Sequence, residues 1–108
     1  MKMNVQEKIH NQVTSSQVVL YMKGKPMSPQ CGFSGATVQL INACGVQDFT
    51  AVDVLADPEI RDGIKLYSNW PTVPQLYING NFVGGADIVR ELYEQGELQT
   101  MIQSALAG

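Results

Sequence analysis

The residue with the clearest chemistry is Cys31, first in the run Cys31-Gly32-Phe33-Ser34. The spacing is that of a redox Cys-x-x-Cys pair whose second position is Ser34. A serine cannot close a disulfide, so dithiol chemistry within the motif is impossible. Cys31 lies where a Pro-containing loop meets a predicted helix. The unpaired N–H groups and dipole of a helix N-terminus favour a thiolate there, and nearby Lys23 adds positive charge. A thiolate is both a nucleophile and a soft metal ligand, so disulfide exchange and iron–sulfur ligation both stay open. The other cysteine, Cys44, falls thirteen residues later on the same predicted helix. That is roughly 20 Å along the helix axis, whereas a disulfide needs Cα atoms within about 7 Å. Cys44 is therefore expected to be buried and inert, and a second sulfur must come from outside the chain. Gly32 permits close approach of a ligand or a second protomer. Phe33 either walls the site or packs as an ordinary apolar residue.

The elements that must position Cys31 follow from periodicity. Val5, Ile9 and Val13 recur every fourth residue and predict a first helix ending near Ser15. Gln17 to Met22 reads as a buried strand. Lys23 to Gln30, with Gly24, Pro26 and Pro29, reads as a loop. Val38, Leu40, Ile41 and Cys44 suit a helix from Gly32 that stops at Gly45. Phe49 to Val54 is a second strand. Asp57 caps a helix that has Pro58 in its first turn and runs towards Tyr67. Asn79-Gly80 between Gln75–Ile78 and Asn81–Val83 is a hairpin signal, because both turn residues need positive φ. Asp87 is expected to cap a helix through about Gln95. After Gly96, Leu98, Ile102 and Leu106 form the apolar stripe of a last helix. The order α-β-α-β-α-β-β-α-α suits an α/β protein with a thioredoxin-like four-stranded mixed sheet flanked by helices.

Bulk composition narrows the function classes. The chain has 108 residues, 44% of them hydrophobic and 16% charged, which suits one globular domain spanning 1–108. A formal net charge of −3 and no basic run argue against nucleic acid as a partner. The longest apolar run, Val18 to Met22, is too short to cross a membrane. Met1 to His10 has no apolar signal core, and the chain shows no sign of a transit peptide. Two cysteines do not make a disulfide framework, which fits a reducing compartment. The expectation is a soluble, intracellular protein.

Four motifs now stand in order: Lys23-Gly24, Cys31-Gly32-Phe33-Ser34, Trp70-Pro71-Thr72-Val73-Pro74-Gln75 and Gly84-Gly85-Ala86-Asp87-Ile88. Together they resemble a monothiol glutaredoxin of the C-G-F-S class, over roughly Ser16 to Leu106. The resemblance implies a glutaredoxin fold and glutathione as the external thiol. It further implies a 2Fe–2S cluster bridging two protomers through Cys31, and pairing with a BolA-family protein and with acceptor iron–sulfur apoproteins. It places the chain in the cytoplasm, or in the mitochondrial matrix for a mature eukaryotic chain.

By the same resemblance, Lys23 and Arg61 hold the glycyl carboxylate. Val73-Pro74 is expected to be cis and to offer the Val73 backbone to the tripeptide as an added strand would. Ala86 and Asp87 N–H groups at a helix start cradle the γ-glutamyl carboxylate, and Asp87 can face its ammonium. Trp70 stiffens its loop or contacts a partner, and His10 is expected on the surface. Many relatives carry cysteine where this chain has Ala86, which removes a further internal disulfide partner. Lys25 stands where small polar residues are common.

Three readings of function follow: cluster assembly and transfer, glutathione-dependent thiol–disulfide exchange by Cys31, and a regulatory module joined to a BolA-like partner. The C-G-F-S run, which in the family goes with weak reductase activity, and the long Lys23 to Gln30 loop both favour the first.

Overall fold

A computed structural model describes residues 3–107. Its central sheet has the order β4-β1-β5-β6, built from β1 (Val18–Met22), β4 (Thr50–Asp53), β5 (Gln75–Ile78) and β6 (Asn81–Gly84). β1 pairs parallel with β4 and antiparallel with β5, and β5 pairs antiparallel with β6. The helices are α1 (Val5–Val13), α2 (Gly32–Ala43), α3 (Pro58–Ser68), α4 (Ala86–Glu94) and α5 (Glu97–Ala107). This is the mixed four-stranded sheet with helices on both faces that the element order implies.

Alternation along β1 explains the sandwich. Val18, Leu20 and Met22 point to one face and meet Val38, Ile41, Val89, Leu98 and Ile102 from α2, α4 and α5. Val19 and Tyr21 point to the other and meet Ile9, Val13, Ile60 and Ile64 from α1 and α3. Every residue of β1 is buried, so it reads as a continuous apolar run rather than an alternating one. Each large side chain buried there contributes about 1.5–3 kcal/mol.

Local signals explain most boundaries. The Asp57 carboxylate accepts from the N–H groups of Glu59 and Ile60 at 3.1 and 3.3 Å, with Pro58 in the first turn of α3. The Asn79-Gly80 turn has φ of 51° and 78°, both positive as the hairpin requires. Gly45, at φ 90°, follows the last turn of α2. The Val73–Pro74 bond is cis.

Three expectations are corrected. The Lys23 to Gln30 segment is not plain loop: β2 (Gly24–Lys25) and β3 (Ser28–Pro29) pair as a small antiparallel ribbon. Two-residue strands leave no periodicity to read. Asp87 does not cap α4, because the chain turns into the helix at Gly85, the capping position. Asp87 therefore lies inside the first turn, where its carboxylate lies 3.7 Å from Arg90. Leu106 does not complete the α5 stripe: it is 52% exposed, and Ala105 is buried with Leu98 and Ile102 instead. A helix turns 100° per residue, so the third residue of a four-residue stride sits about 80° round from the first, and in α5 that carries Leu106 off the buried face.

Candidate thiol site and its groove

Cys31 is the N-terminal capping residue of α2, with extended φ and ψ of −150° and 134°. The residue is partly exposed. The thiol is held below its ordinary value chiefly by the backbone N–H of Ser34. Slight burial opposes this, while the Phe33 N–H, the Ser34 hydroxyl and the Lys23 charge add smaller pulls in the same direction. No fully formed capping hydrogen bond reaches the sulfur, so the effect is that of oriented dipoles at a helix start. Cys44, at the other end of α2, is buried, and burial pushes its thiol up. The two thiols thus differ: Cys31 is partly exposed with its thiol drawn down, and Cys44 is buried with its thiol pushed up.

Ser34 has a positive role that its place as a missing cysteine did not reveal. It is fully buried, and its hydroxyl oxygen accepts the Lys23 N–H at 3.1 Å. The next residue is held as well: the Gly24 N–H donates to Asp53 Oδ1 at 2.9 Å. The Gln30 N–H closes the ribbon on the Lys23 carbonyl at 2.9 Å. A Cβ at Gly24 would lie 2.7 Å from the Gln30 nitrogen, and φ there is 89°, so only glycine fits. Lys23 is thereby pinned beside the thiol.

A groove of about 550 Å³ opens at Cys31. All six residues singled out from sequence line it: Lys23, Cys31, Arg61, Val73, Ala86 and Asp87. Arg61 comes from α3, Val73 from the segment entering β5, and Ala86 and Asp87 from the start of α4. The first N–H groups of α4 have no partner within the helix. Val73 makes no backbone–backbone hydrogen bond among the described residues, which leaves a free edge facing the groove.

Phe33 is 66% exposed and lines the groove, which decides its two readings in favour of a site wall. Trp70 lines it as well, with its ring 5.8 Å from Phe82. The indole Nε1 is buried without a hydrogen-bond partner. A Cβ on Gly85 would lie 2.8 Å from that nitrogen, so the absence of a side chain there lets the indole pack against the start of α4. His10 is exposed and bonds Tyr67 at 3.2 Å, outside the groove.

Lys65 and Leu55 also line the groove and escaped the sequence reading. Lys65 stands four residues after Arg61 on α3, the spacing that stacks two side chains on one helix face. That spacing was the available signal. The groove therefore carries three cations, Lys23, Arg61 and Lys65, against one acid, Asp87, although the chain as a whole is at −3. Among the described residues no three His, Cys, Asp or Glu side chains converge on a metal position, and no helix is long and apolar enough to cross a membrane.

A mixed sheet with one cysteine at a helix start, facing a cis-proline segment, defines a thioredoxin-like thiol protein. The glutaredoxin family model matches residues 18–83, and the chain belongs to the glutaredoxin family. Similar proteins include ones named monothiol glutaredoxin and glutaredoxin 4. It is 57% identical over 100 residues to a monothiol glutaredoxin of Synechocystis sp., covering 93% of this chain and 92% of that one. It is 50% identical over 101 residues to glutaredoxin 4 of Escherichia coli K12, covering 94% and 87%. The solution structure of reduced poplar apo GrxS14 superposes with a TM-score of 0.82 at 44% identity, covering 96% of this chain and 94% of that one.

Proposed function

We propose that this monothiol glutaredoxin binds glutathione in the Cys31 groove and carries a 2Fe–2S cluster, as cargo, between two protomers for delivery to acceptor apoproteins. The observation that carries the reading is the single activated thiol, Cys31, set in a cationic groove sized for a short peptide. Four thiolates satisfy such a cluster. One Cys31 and one glutathione from each of two protomers supply four. The residues fit this role: Cys31 is partly exposed, a Cβ at Gly32 would meet nothing within 4 Å, and exposed Phe33 flanks it. Only one protein ligand per subunit leaves the cargo exchangeable.

The groove suits an anionic tripeptide. Lys23 and Arg61, with Lys65 beside them, face the glycyl carboxylate, the arginine as a two-pronged donor. The Val73 edge pairs with the peptide backbone. The Ala86 and Asp87 N–H groups receive the γ-glutamyl carboxylate at the α4 N-terminus, and the Asp87 carboxylate faces the ammonium. A BolA-family protein as a second-subunit partner, and a cytoplasmic or matrix location, belong to the same proposal.

A second reading rests on the lowered Cys31 thiol. The Cys31 thiolate attacks the glutathionyl sulfur of a mixed disulfide and releases the other thiolate. A second glutathione thiolate then attacks the Cys31–glutathione disulfide, yielding glutathione disulfide and free Cys31. Nothing else in the chain is needed, because glutathione is both reductant and resolving thiol.

Anaerobic reconstitution with iron, sulfide and glutathione separates the two. A coloured dimer that requires glutathione, is lost in Cys31→Ser and survives in Cys44→Ala is the expected result. A colourless monomer that still turns over glutathione mixed disulfides would leave the exchange reading in its place.

A further inference from the structure

One wall of the groove, residues 70–74, is held from behind by a residue that does not line it. Within this segment the one backbone–backbone hydrogen bond among the described residues runs from the Trp70 N–H to the Lys65 carbonyl, at 3.2 Å. The Ser68 hydroxyl oxygen also accepts the Trp70 N–H, at 3.1 Å, and the ties to the wall's carbonyls come from Gln75, which is fully buried. Its Nε2 donates to the Trp70 carbonyl at 3.2 Å and to the Thr72 carbonyl at 3.0 Å. Both carbonyls can only accept, so the amide orientation is set by chemistry: nitrogen towards the wall, oxygen away. The oxygen accepts the Tyr77 hydroxyl at 3.2 Å. Residues 75 and 77 share one face of β5. The Tyr77 ring is itself packed 5.7 Å from Tyr21 and 5.5 Å from Phe82.

We infer that Gln75 is a positioning residue, which holds the Trp70–Pro74 wall against the sheet and thereby sets the affinity of the groove for an extended peptide ligand. Two carbonyls two residues apart need two N–H donors from one planar group at this reach. Leucine offers none, a glutamate carboxylate would turn lone pairs on lone pairs, and asparagine is one methylene short. Because Gln75 acts through the wall and not on the sulfur, its loss separates ligand affinity from thiol activation. The inference deepens the glutathione reading and rests on it for its ligand.

The test uses S-methylglutathione, which has no free thiol and so binds without exchange, followed by fluorescence of Trp70, the sole tryptophan. Gln75→Leu is expected to raise Kd about tenfold, as loss of two neutral hydrogen bonds predicts, and the milder Tyr77→Phe about threefold. The pH profile of Cys31 alkylation by iodoacetamide stays where it is in wild type. Tyr21→Phe removes a part-buried hydrogen bond of 2.7 Å to Gln12 rather than one to the Gln75 amide, and it leaves Kd unchanged. Exchange of the Trp70 amide proton quickens about tenfold in Gln75→Leu. An unchanged Kd in folded Gln75→Leu, or an equal loss in Tyr21→Phe, overturns the inference. If Gln75→Leu does not fold, Tyr77→Phe decides by the same criteria. If wild type does not bind the probe, the glutathione reading fails. The Trp70 amide then decides alone: faster exchange upholds the positioning role, and unchanged exchange removes it.

Discussion

Four groups draw the Cys31 thiol down by different means: the Ser34 and Phe33 N–H groups as dipoles, the Ser34 hydroxyl as a polar contact, and Lys23 as a charge. Ser34 also anchors Lys23 through the Lys23 backbone, so one substitution disturbs two of the four. Ser34→Ala is expected to move the midpoint of iodoacetamide alkylation at Cys31 upward in pH, read from the rate–pH profile. A midpoint that stays put would assign the activation to the helix start alone. The lowered thiol also has a stability consequence with a definite sign. Folded Cys31 gives up its proton more readily than unfolded Cys31. Its contribution relative to Cys31→Ser is therefore complete above the ordinary thiol value and is lost as pH falls through the folded one. Paired urea titrations across that window check it. Lys23→Ala is expected to weaken glutathione binding by about 1–2 kcal/mol, the worth of a charge-assisted contact. Calorimetry with an equal affinity for both proteins would remove Lys23 from the site.

At the scale of elements, α3 links stability to the site most directly. Its start is fastened by the Asp57 carboxylate, and its groove-facing side presents Arg61 and Lys65. Asp57→Ala removes the acceptor for two N–H groups and is expected to cost about 1 kcal/mol of stability, read from the urea midpoint. The Lys8 partner, 3.4 Å away across an exposed surface, contributes little to that figure. A loss well under half of this would mean that solvent satisfies the helix end equally well. α4 uses the opposite device. Its capping residue is Gly85, without a side chain, so the first N–H groups stay open towards the groove. α3 is closed by a side chain, and α4 is left without one.

The whole molecule divides labour between groove and core. The groove is assembled from five chain segments: the residue after β1, the start of α2 with Cys31, α3 with the turn before it, the segment before β5 and the start of α4. The core under α2, α4 and α5 supports the sheet away from the groove. Leu76, fully buried in that core, is expected to cost about 2–5 kcal/mol on mutation to alanine. The alkylation profile of Cys31 in the folded protein should remain as in wild type. A shifted profile with normal folding would show that core and groove are coupled. Gathering three cations on one groove of a chain at −3 leaves the remaining surface more acidic than the average. Anionic ligands are thereby drawn to the thiol face, more strongly at low salt.

Much of this was legible in the linear order of residues, for identifiable reasons. β1 is apolar throughout and could only be a buried strand. Asp57-Pro58 and Asn79-Gly80 encode their own backbone angles, and the distance from Cys31 to Cys44 along one helix excluded a disulfide without any structure. The four motifs contain five of the six groove residues because each carries local chemistry: a cation, a thiol, a cis-proline turn and a helix start; Arg61, outside all four, came only from the family resemblance. What only the tertiary structure decided depends on neighbours remote in sequence. The short β2–β3 ribbon exists because Gly24 can bond Asp53 and Gln30 can return to Lys23. Asp87 loses its cap role because the chain enters α4 at Gly85, beneath the Trp70 indole. Lys65 joins Arg61 at the groove only once α3 is rotated by its packing on α1. Ser34 and Gln75 are polar residues whose importance lies in which backbone groups they reach, and that is set by packing rather than by composition.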